Sequence, residues 1–587
     1  MIKKIVFISF LAILAVILFF NPNLKTIAAG VAVLLFGMGM LEEGFKVFTK
    51  GPLQNILKKS TDKLYKSITA GAVVTALIQS SSLVSVITIS FISAGLLSLS
   101  GGLGLMFGAN IGSTATAWLV AGFGLKIDIS ALAMPMIIFG LIFTFQKKES
   151  LKGTGNVLAG LGFFFLGIYF MKAGFDVFST QINLTEYAVS GFKGVLIYTG
   201  IGVVLTVVLQ SSAASLVLVL TALAAGQIEY ENALALAIGA NIGTTITAVL
   251  GALNSNIAGK RLAAAHLIFN VLTGVVALSL IYPLAKLVNN IADFVHIKQT
   301  DYTLKLALFH TIFNVLGVVI MVPFIKKLEI FLLKLFKENI DKDVDKPKYL
   351  NEAILKFPGT LISSLLKESK DLYKNTIFEI VAHSLNIHRN AITSDEKIKK
   401  IVQNSNEQMN VDIDQLYYNK VKNIYGQIIS FAAKGQQNLK FTNAQNKQLT
   451  QIKVANRTMV QIVKDTKELS KNVAIFSNSD NEHIKKEYDK FRKKVIKVLR
   501  VIYLFRTNDK KEEHYQELLK LKKSAKKAVN SDNKSIDKLI RKNLITIDMA
   551  SSLVNDNVNV NDLVGNLIQV AELLYSEKDA ILDNDNK

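Results

Sequence analysis

Two stretches of this chain place the same polar break inside an apolar run. Residues 75–90 read TALIQSSSLVSVITIS and residues 206–221 read TVVLQSSAASLVLVLT. A second echo follows each, GANIGSTATA from Gly108 and GANIGTTITA from Gly239. Gln79 and Gln210 are 131 residues apart, and so are Asn110 and Asn241. A weaker match opens both units, FGMGMLEEGF from Phe36 and LGIYFMKAGF from Leu166. A duplicated membrane unit with polar, glycine-flanked breaks at matching places predicts a substrate site at the repeat interface, as in a secondary transporter.

Half of the residues are hydrophobic, and their distribution is uneven. Apolar runs with short polar joints continue to about residue 330, after which Lys, Asn, Asp and Glu dominate at helical spacing. This predicts a membrane domain over 1–337, a charged linker over 338–350 (ENIDKDVDKPKYL, with Pro347) and a soluble domain over 351–587. The net charge of +22 is shared, with 22 Lys and Arg against 12 Asp and Glu through residue 330 and 45 against 33 beyond it. Basic loops on one side of a membrane and solvated helix faces near an anionic leaflet account for both excesses. No interleaved basic–aromatic motif points to nucleic acid. The lack of cysteine excludes disulfides, thiolate metal sites and cysteine nucleophiles. No phosphate loop, HExxH or GxSxG motif is present, so no enzyme is expected.

Spans are predicted near 5–20, 26–42, 102–123, 130–146, 155–175, 232–253, 262–284 and 303–325. The first lacks a small-x-small cleavage site and reads as a retained helix. The apolar stretches 68–98 and 192–226 are long for one span and short for two, and each fits a re-entrant helical hairpin with a polar tip. With Lys3 and Lys4 inside, the inside joints are 43–67, 147–154 and 254–261. They hold Lys46, Lys50, Lys58, Lys59, Lys63 and Lys66, then Lys147, Lys148 and Lys152, then Lys260 and Arg261. The outside joints hold Asp176 and Glu186, then Glu229 and Glu231; a last one, 285–302, is balanced, with Lys286 and Lys298 against Asp293 and Asp301, and the last span exits inside at Lys326 and Lys327. This obeys the positive-inside rule. It sends the first hairpin in from the inside and the second from the outside, so the repeats (about 26–146 and 155–284) are expected to be inverted and the soluble domain cytoplasmic.

The motif segments offer neutral groups only: Gln79, Ser80, Ser81 and Ser82; Gln210, Ser211 and Ser212; Asn110, Ser113 and Thr114; Asn241, Thr244 and Thr245. Glycines 108, 112, 239 and 243 permit close backbone approach or non-helical dihedrals. Hairpin tips present helix N-termini, which suit an anion. With no Lys or Arg in these segments, an anion must bring its own counter-charge, because an uncompensated charge in low dielectric costs of order tens of kcal/mol. Sodium bound beside the anion supplies it. Intramembrane carboxylates are the usual route to proton coupling; Glu42, Glu43 and Asp176 read as span ends, leaving His266 and His310. The plainer reading of Ser and Thr in such helices is bonding to a neighbouring carbonyl, and it is disfavoured by four matched segments at one offset. The local likeness of His266-Leu-Ile-Phe269-Asn270 to His310-Thr-Ile-Phe313-Asn314 reads as interhelical hydrogen bonding, and Trp118 as packing.

QSSS, QSSA and the two GANIG segments resemble the sodium/phosphate cotransporter family that includes the type II sodium-dependent phosphate transporters. The resemblance covers roughly 25–325. It implies inverted repeats with hairpins, phosphate and sodium sites at Gln79–Ser82 and Gln210–Ser212, and sodium contacts from Gln79, Ser80, Gln210 and Ser211. The chain departs from the family at Ala213, where a third Ser is usual.

Beyond the linker, apolar residues recur at helical spacing, as in Ile354/Leu361/Leu365 and Val495/Leu499/Ile502, which predicts an antiparallel helix bundle. Polar joints are expected near 392–398, 477–482, 507–512 and 529–534. Its position makes this region resemble a PhoU-like domain, whose metal-binding carboxylates would fall at Asp412, Asp414 and Glu407; a solvated charged face explains these as well.

The fold expected is all-α: a polytopic membrane domain with two inverted repeats and a cytoplasmic helical bundle. The function expected is sodium-coupled symport of inorganic phosphate across the cell membrane, with sodium ions as co-transported ligands and no other cofactor. The expected partners are phosphate, sodium and the lipid bilayer, with a homodimer and a regulatory partner for the bundle, and no nucleic acid. The alternatives are a membrane-anchored phosphate-sensing module and a transporter of another oxyanion such as sulfate or arsenate.

Overall fold

The computed structural model describes residues 2–48, 60–126, 129–179, 185, 188–337, 346–405, 409 and 412–575. Lys50, Lys58, Lys59, Glu186, Glu407 and the linker up to residue 345 lie outside the described residues, as do the side chains of Lys3, Lys4 and Lys46. The chain forms two units, Met1–Glu338 and Asn339–Lys587. All regular structure among the described residues is helical.

The first unit opens with α1 (Ile2–Phe20) and α2 (Pro22–Phe48). Pro22 takes the first helical position, where a missing N–H costs nothing. Then come α3 (Leu64–Ile78), α4 (Ser81–Ser93), α5 (Leu99–Gly112) and α6 (Ala115–Leu119), which runs into a π turn over Val120–Gly124. Next are α7 (Ile129–Thr144) and α8 (Glu149–Ser179). The series then repeats as α9 (Gly191–Leu209), α10 (Ser212–Ala224), α11 (Tyr230–Gly243) and α12 (Thr245–Ala252). The bounds of α4 and α5 recur in α10 and α11 at the 131-residue offset of the motifs. The unit closes with α13 (Ile257–Ser279), α14 (Ile281–Phe294), α15 (Tyr302–Met321) and α16 (Ile325–Leu335).

Seven helices among the described residues are long and apolar enough to cross a membrane: Pro22–Phe45, Leu99–Gly124, Glu149–Ser179, Gly191–Leu209, Tyr230–Ala252, Ile257–Ser279 and Tyr302–Leu335. The first unit is therefore a multi-pass membrane domain. The expected span over 262–284 stops at Ser279 instead. Pro283 removes a donor and collides with the carbonyl four residues back, so the chain breaks at Leu280 and starts α14.

Glycines set how the helices meet. A Cβ on Gly108 would lie 2.0 Å from the Ile68 carbonyl oxygen, and one on Gly112 2.3 Å from that of Ala72. In the second series Gly239 meets Thr199 at 2.1 Å and Gly243 meets Val203 at 2.8 Å. The GANIG glycines thus stay helical and serve close approach: they seat α5 on α3, and α11 on α9, backbone to backbone. Helices α2 and α8 meet the same way, with Gly30 against Gly167, Gly37 against Gly160 and Gly44 against Gly153. One number rises as the other falls, so these two helices run antiparallel.

In the second unit α17 (Pro358–Asp371) continues through a π turn over Leu372–Ile377 into α18 (Phe378–Ser384). Short helices α19 (Arg389–Thr393), α20 (Ile398–Asn404) and α21 (Ile413–Leu416) precede α22 (Lys422–Asn438). The long helices α23 (Asn443–Phe476), α24 (Glu482–Thr507), α25 (Lys511–Arg541) and α26 (Ile547–Tyr575) pack on one another. Chain breaks fall near 394–397, 477–481 and 508–510, but α25 runs unbroken through 529–534. Asn, Asp and Ser cost only tenths of a kcal/mol each inside a helix; the actual break follows at Asn543, whose φ of 50° is left-handed. Arg492 is buried and staples short segments to α24, donating Nε to the Leu385 carbonyl at 3.0 Å and Nη2 to that of Ser405 at 2.6 Å. Asp412 caps α21 by accepting from the Gln415 amide at 2.9 Å, and Asp414 pairs with Lys467 at 2.6 Å.

Candidate functional site

Gln79 ends α3 and Gln210 ends α9 in the same left-handed conformation, φ 58° and φ 53°. That region costs a non-glycine residue roughly 1–2 kcal/mol. The residue after each glutamine is extended and caps the next helix. Ser80 Oγ accepts from the Leu83 amide at 3.2 Å and Ser211 Oγ from the Ala214 amide at 3.1 Å. The amides of Ser81 and Ser82, and of Ser212 and Ala213, precede the first intrahelical bond and point out of the helix starts.

Both tips open on one cavity of about 200 Å³. Its walls are Gln79, Ser80, Ser81 and Ser82 from one tip, Leu209, Gln210, Ser211, Ser212 and Ala213 from the other, Ser113 and Thr116 behind the first, and Leu35, Met38, Gly39 and Glu42 from α2. Two helix N-termini therefore converge on a space walled by hydroxyls and amides, an arrangement that favours an anion.

Of the sequence-predicted residues, the two Gln-Ser clusters and Ser113 share this cavity. Asn110, Thr114, Asn241, Thr244 and Thr245 do not line it. Asn110 Nδ2 donates to the Met106 carbonyl at 3.0 Å, and Thr114 and Thr245 donate to carbonyls three residues back. Thr244 donates to the Asn241 carbonyl. Asn241 is buried at a three-helix seam, its amide donating to Asn270 Oδ1 at 3.2 Å and to Asn314 Oδ1 at 3.0 Å. The two likenesses His266–Asn270 and His310–Asn314 thus bring α13 and α15 onto α11 through their asparagines, while Nδ1 of both buried histidines lacks a partner. Trp118 Nε1 donates to Thr311 Oγ1 at 2.9 Å.

Sequence reasoning passed over Thr116 and Glu42. Thr116 Oγ1 donates to Gln79 Oε1 at 2.7 Å and holds the first tip. Its counterpart at the 131-residue offset, Thr247, donates to the Thr244 carbonyl at 2.8 Å and lies 3.3 Å from the Ser82 hydroxyl. The matched threonines of GSTAT and GTTIT were a visible signal for this pair. Glu42 reads as a span end, but α2 continues to Phe48 and places it on the cavity wall.

A multi-pass domain with two matched tips on one polar cavity is built as a membrane carrier. The chain belongs to the Na+/Pi-cotransporter family, whose profile matches residues 33–173 and 183–295. It is similar to "Putative inorganic phosphate export protein YjbB" of Salmonella typhimurium, 28% identical over 349 residues, and of Escherichia coli (strain K12), 27% over 350. Each of these alignments covers 59% of this chain and 62% of the relative, so the chain spans less than two thirds of their length. It is also similar to "Uncharacterized protein YqeW" of Bacillus subtilis, 32% identical over 297 residues, covering 49% of this chain and 90% of the relative. No solved structure matches the chain.

Proposed function

We propose that this protein moves inorganic phosphate across the cell membrane together with sodium, by alternating access. The observation that carries the proposal is the convergence of two helix N-termini on one cavity whose walls hold no Lys or Arg among the described residues. Phosphate there needs a cation brought with it. Gln79, Ser80, Gln210 and Ser211 are the proposed sodium contacts, with Ser81, Ser82 and Ser212 donating to phosphate oxygens. Inverted topology of the repeats is part of the proposal and is supported by the antiparallel course of α2 and α8, which open the two series. The unequal roles of Thr116 and Thr247 are what one of two alternating states would give. The second unit, PhoU-like in its all-helical make-up and position, is proposed to lie in the cytoplasm and tune transport.

The test is uptake of labelled phosphate by proteoliposomes under imposed sodium, proton and voltage gradients. Uptake that follows the sodium gradient supports the proposal, and uptake indifferent to sodium removes the coupling. Absence of flux with intact binding favours the sensing module, and preference for sulfate or arsenate in competition favours another oxyanion. The names of the two YjbB relatives point to export, and reversing the sodium gradient in the same vesicles measures whether efflux is supported.

A further inference from the structure

We propose that Glu42 is a cation ligand at the transport cavity and makes anion binding conditional on sodium. The inference rests on the phosphate–sodium reading above and goes beyond it, since every group assigned there is neutral. Glu42 is the one ionisable side chain among the described residues of the cavity wall, which it shares with the Gln-Ser tips. It is half-buried, whereas its neighbour Glu43 is exposed and off the wall.

A carboxylate is the wrong group to bind phosphate. In a partly desolvated space it repels a dianion, and the repulsion is stronger than in water. It does suit a small hard cation, which takes oxygen ligands. Sodium held between the Glu42 carboxylate and the tip hydroxyls offsets that repulsion, and the two helix N-termini then act on phosphate with less opposition. Without sodium the same carboxylate opposes entry of the anion. One side chain thus strengthens the coupled state and penalises the uncoupled one. Coupling between two ligands is reciprocal, with typical factors of about 5–150.

The experiment measures binding of labelled phosphate to the purified full chain at fixed pH, with and without sodium, and of sodium with and without phosphate. Wild type is compared with Glu42→Gln, Glu42→Asp and Glu43→Gln. In Glu42→Gln the factor by which sodium raises phosphate affinity is expected to fall at least fivefold. The reciprocal factor should fall equally, and sodium-free phosphate binding should rise. Glu42→Asp should keep most of the coupling, and Glu43→Gln all of it. If Glu42→Gln does not fold, Glu42→Ala is measured in the same way. An unchanged coupling factor in either variant overturns the role of Glu42. A wild-type protein that binds no phosphate overturns the transport reading instead.

Discussion

Thr116 gives its hydroxyl to the Gln79 side-chain carbonyl at 2.7 Å, while its counterpart Thr247 turns to the other series and meets Ser82 at 3.3 Å. The position equivalent to Ser82 is Ala213, which has no hydroxyl to offer Thr116. The first tip is thus tied through Gln79, which is half-buried, while Gln210 on the second is exposed.

Replacing Thr116 by Val keeps the shape of the side chain and removes the donor. The lost bond is worth about 1 kcal/mol, so phosphate affinity should weaken about five- to tenfold with expression unchanged. Equilibrium binding to the purified protein measures it, and wild-type affinity would show that the bond does not hold the tip for ligand.

Glycine at Gln79 or Gln210 separates side-chain chemistry from backbone geometry. Both positions are left-handed, where glycine carries no penalty. Gln210→Gly should therefore melt no lower than wild type, Gln79→Gly should stay close to it because the relieved backbone penalty offsets the lost Thr116 bond, and both should lose most phosphate flux. Flux retained in both variants would mean the amides are dispensable.

Alanine at Gly108 or Gly239 drives a methyl to about 2 Å from a carbonyl oxygen. Backbone cannot yield as a side-chain end can, and overpacking typically costs 1–3 kcal/mol. Thermal unfolding in detergent should begin several degrees lower for each variant, and Gly122→Ala, at an open position, should leave it unchanged.

Adding a hydroxyl with Ala213→Ser should offer Thr116 the partner that Ser82 offers Thr247. The apparent sodium affinity should then rise about fivefold, the effect of one added neutral hydrogen bond of about 1 kcal/mol. Sodium titration of phosphate uptake reads this directly.

In the second unit Glu368 is buried and accepts from the Tyr349 amide at 2.8 Å. Burial pushes its carboxyl up to about 7, against that bond. In the unfolded chain it titrates near the ordinary value of about 4.3. Between these values only the folded form holds the proton, so stability is highest at low pH and falls as pH rises toward 7, by about 3 kcal/mol from this group. Hydrogen exchange at the core amides of α17, the helix that carries Glu368, corrected for the intrinsic rate, should show protection falling from pH 5 to pH 7.5. Glu368→Gln should flatten the profile, and an unchanged slope would assign it elsewhere.

The two tips and their spacing were legible because a break in an apolar run must be written in polar residues, and duplication wrote it twice. The left-handed turn at Gln79 and Gln210 was not, since neither residue type demands it. Asn110 and Asn241 are as well matched as the glutamines, yet Asn110 bonds back to its own helix and Asn241 sits in a helix seam, because spacing alone does not give the rotation of a helix about its axis. Glu42 and Met38 reach the cavity from α2, within the weaker FGMGMLEEGF match and outside the Gln-Ser and GANIG motifs, and only tertiary packing brings them there. The joint expected at 529–534 failed for a related reason: weak local preferences yield when a long helix packs along its neighbours.

The glycine seams also limit how this protein can change shape. Where Gly108 and Gly239 leave no room even for a methyl group, sliding would force backbone into backbone. Each tip must then travel as one block with the helix behind it, and any opening or shutting must be taken up at surfaces lined by larger, more forgiving side chains.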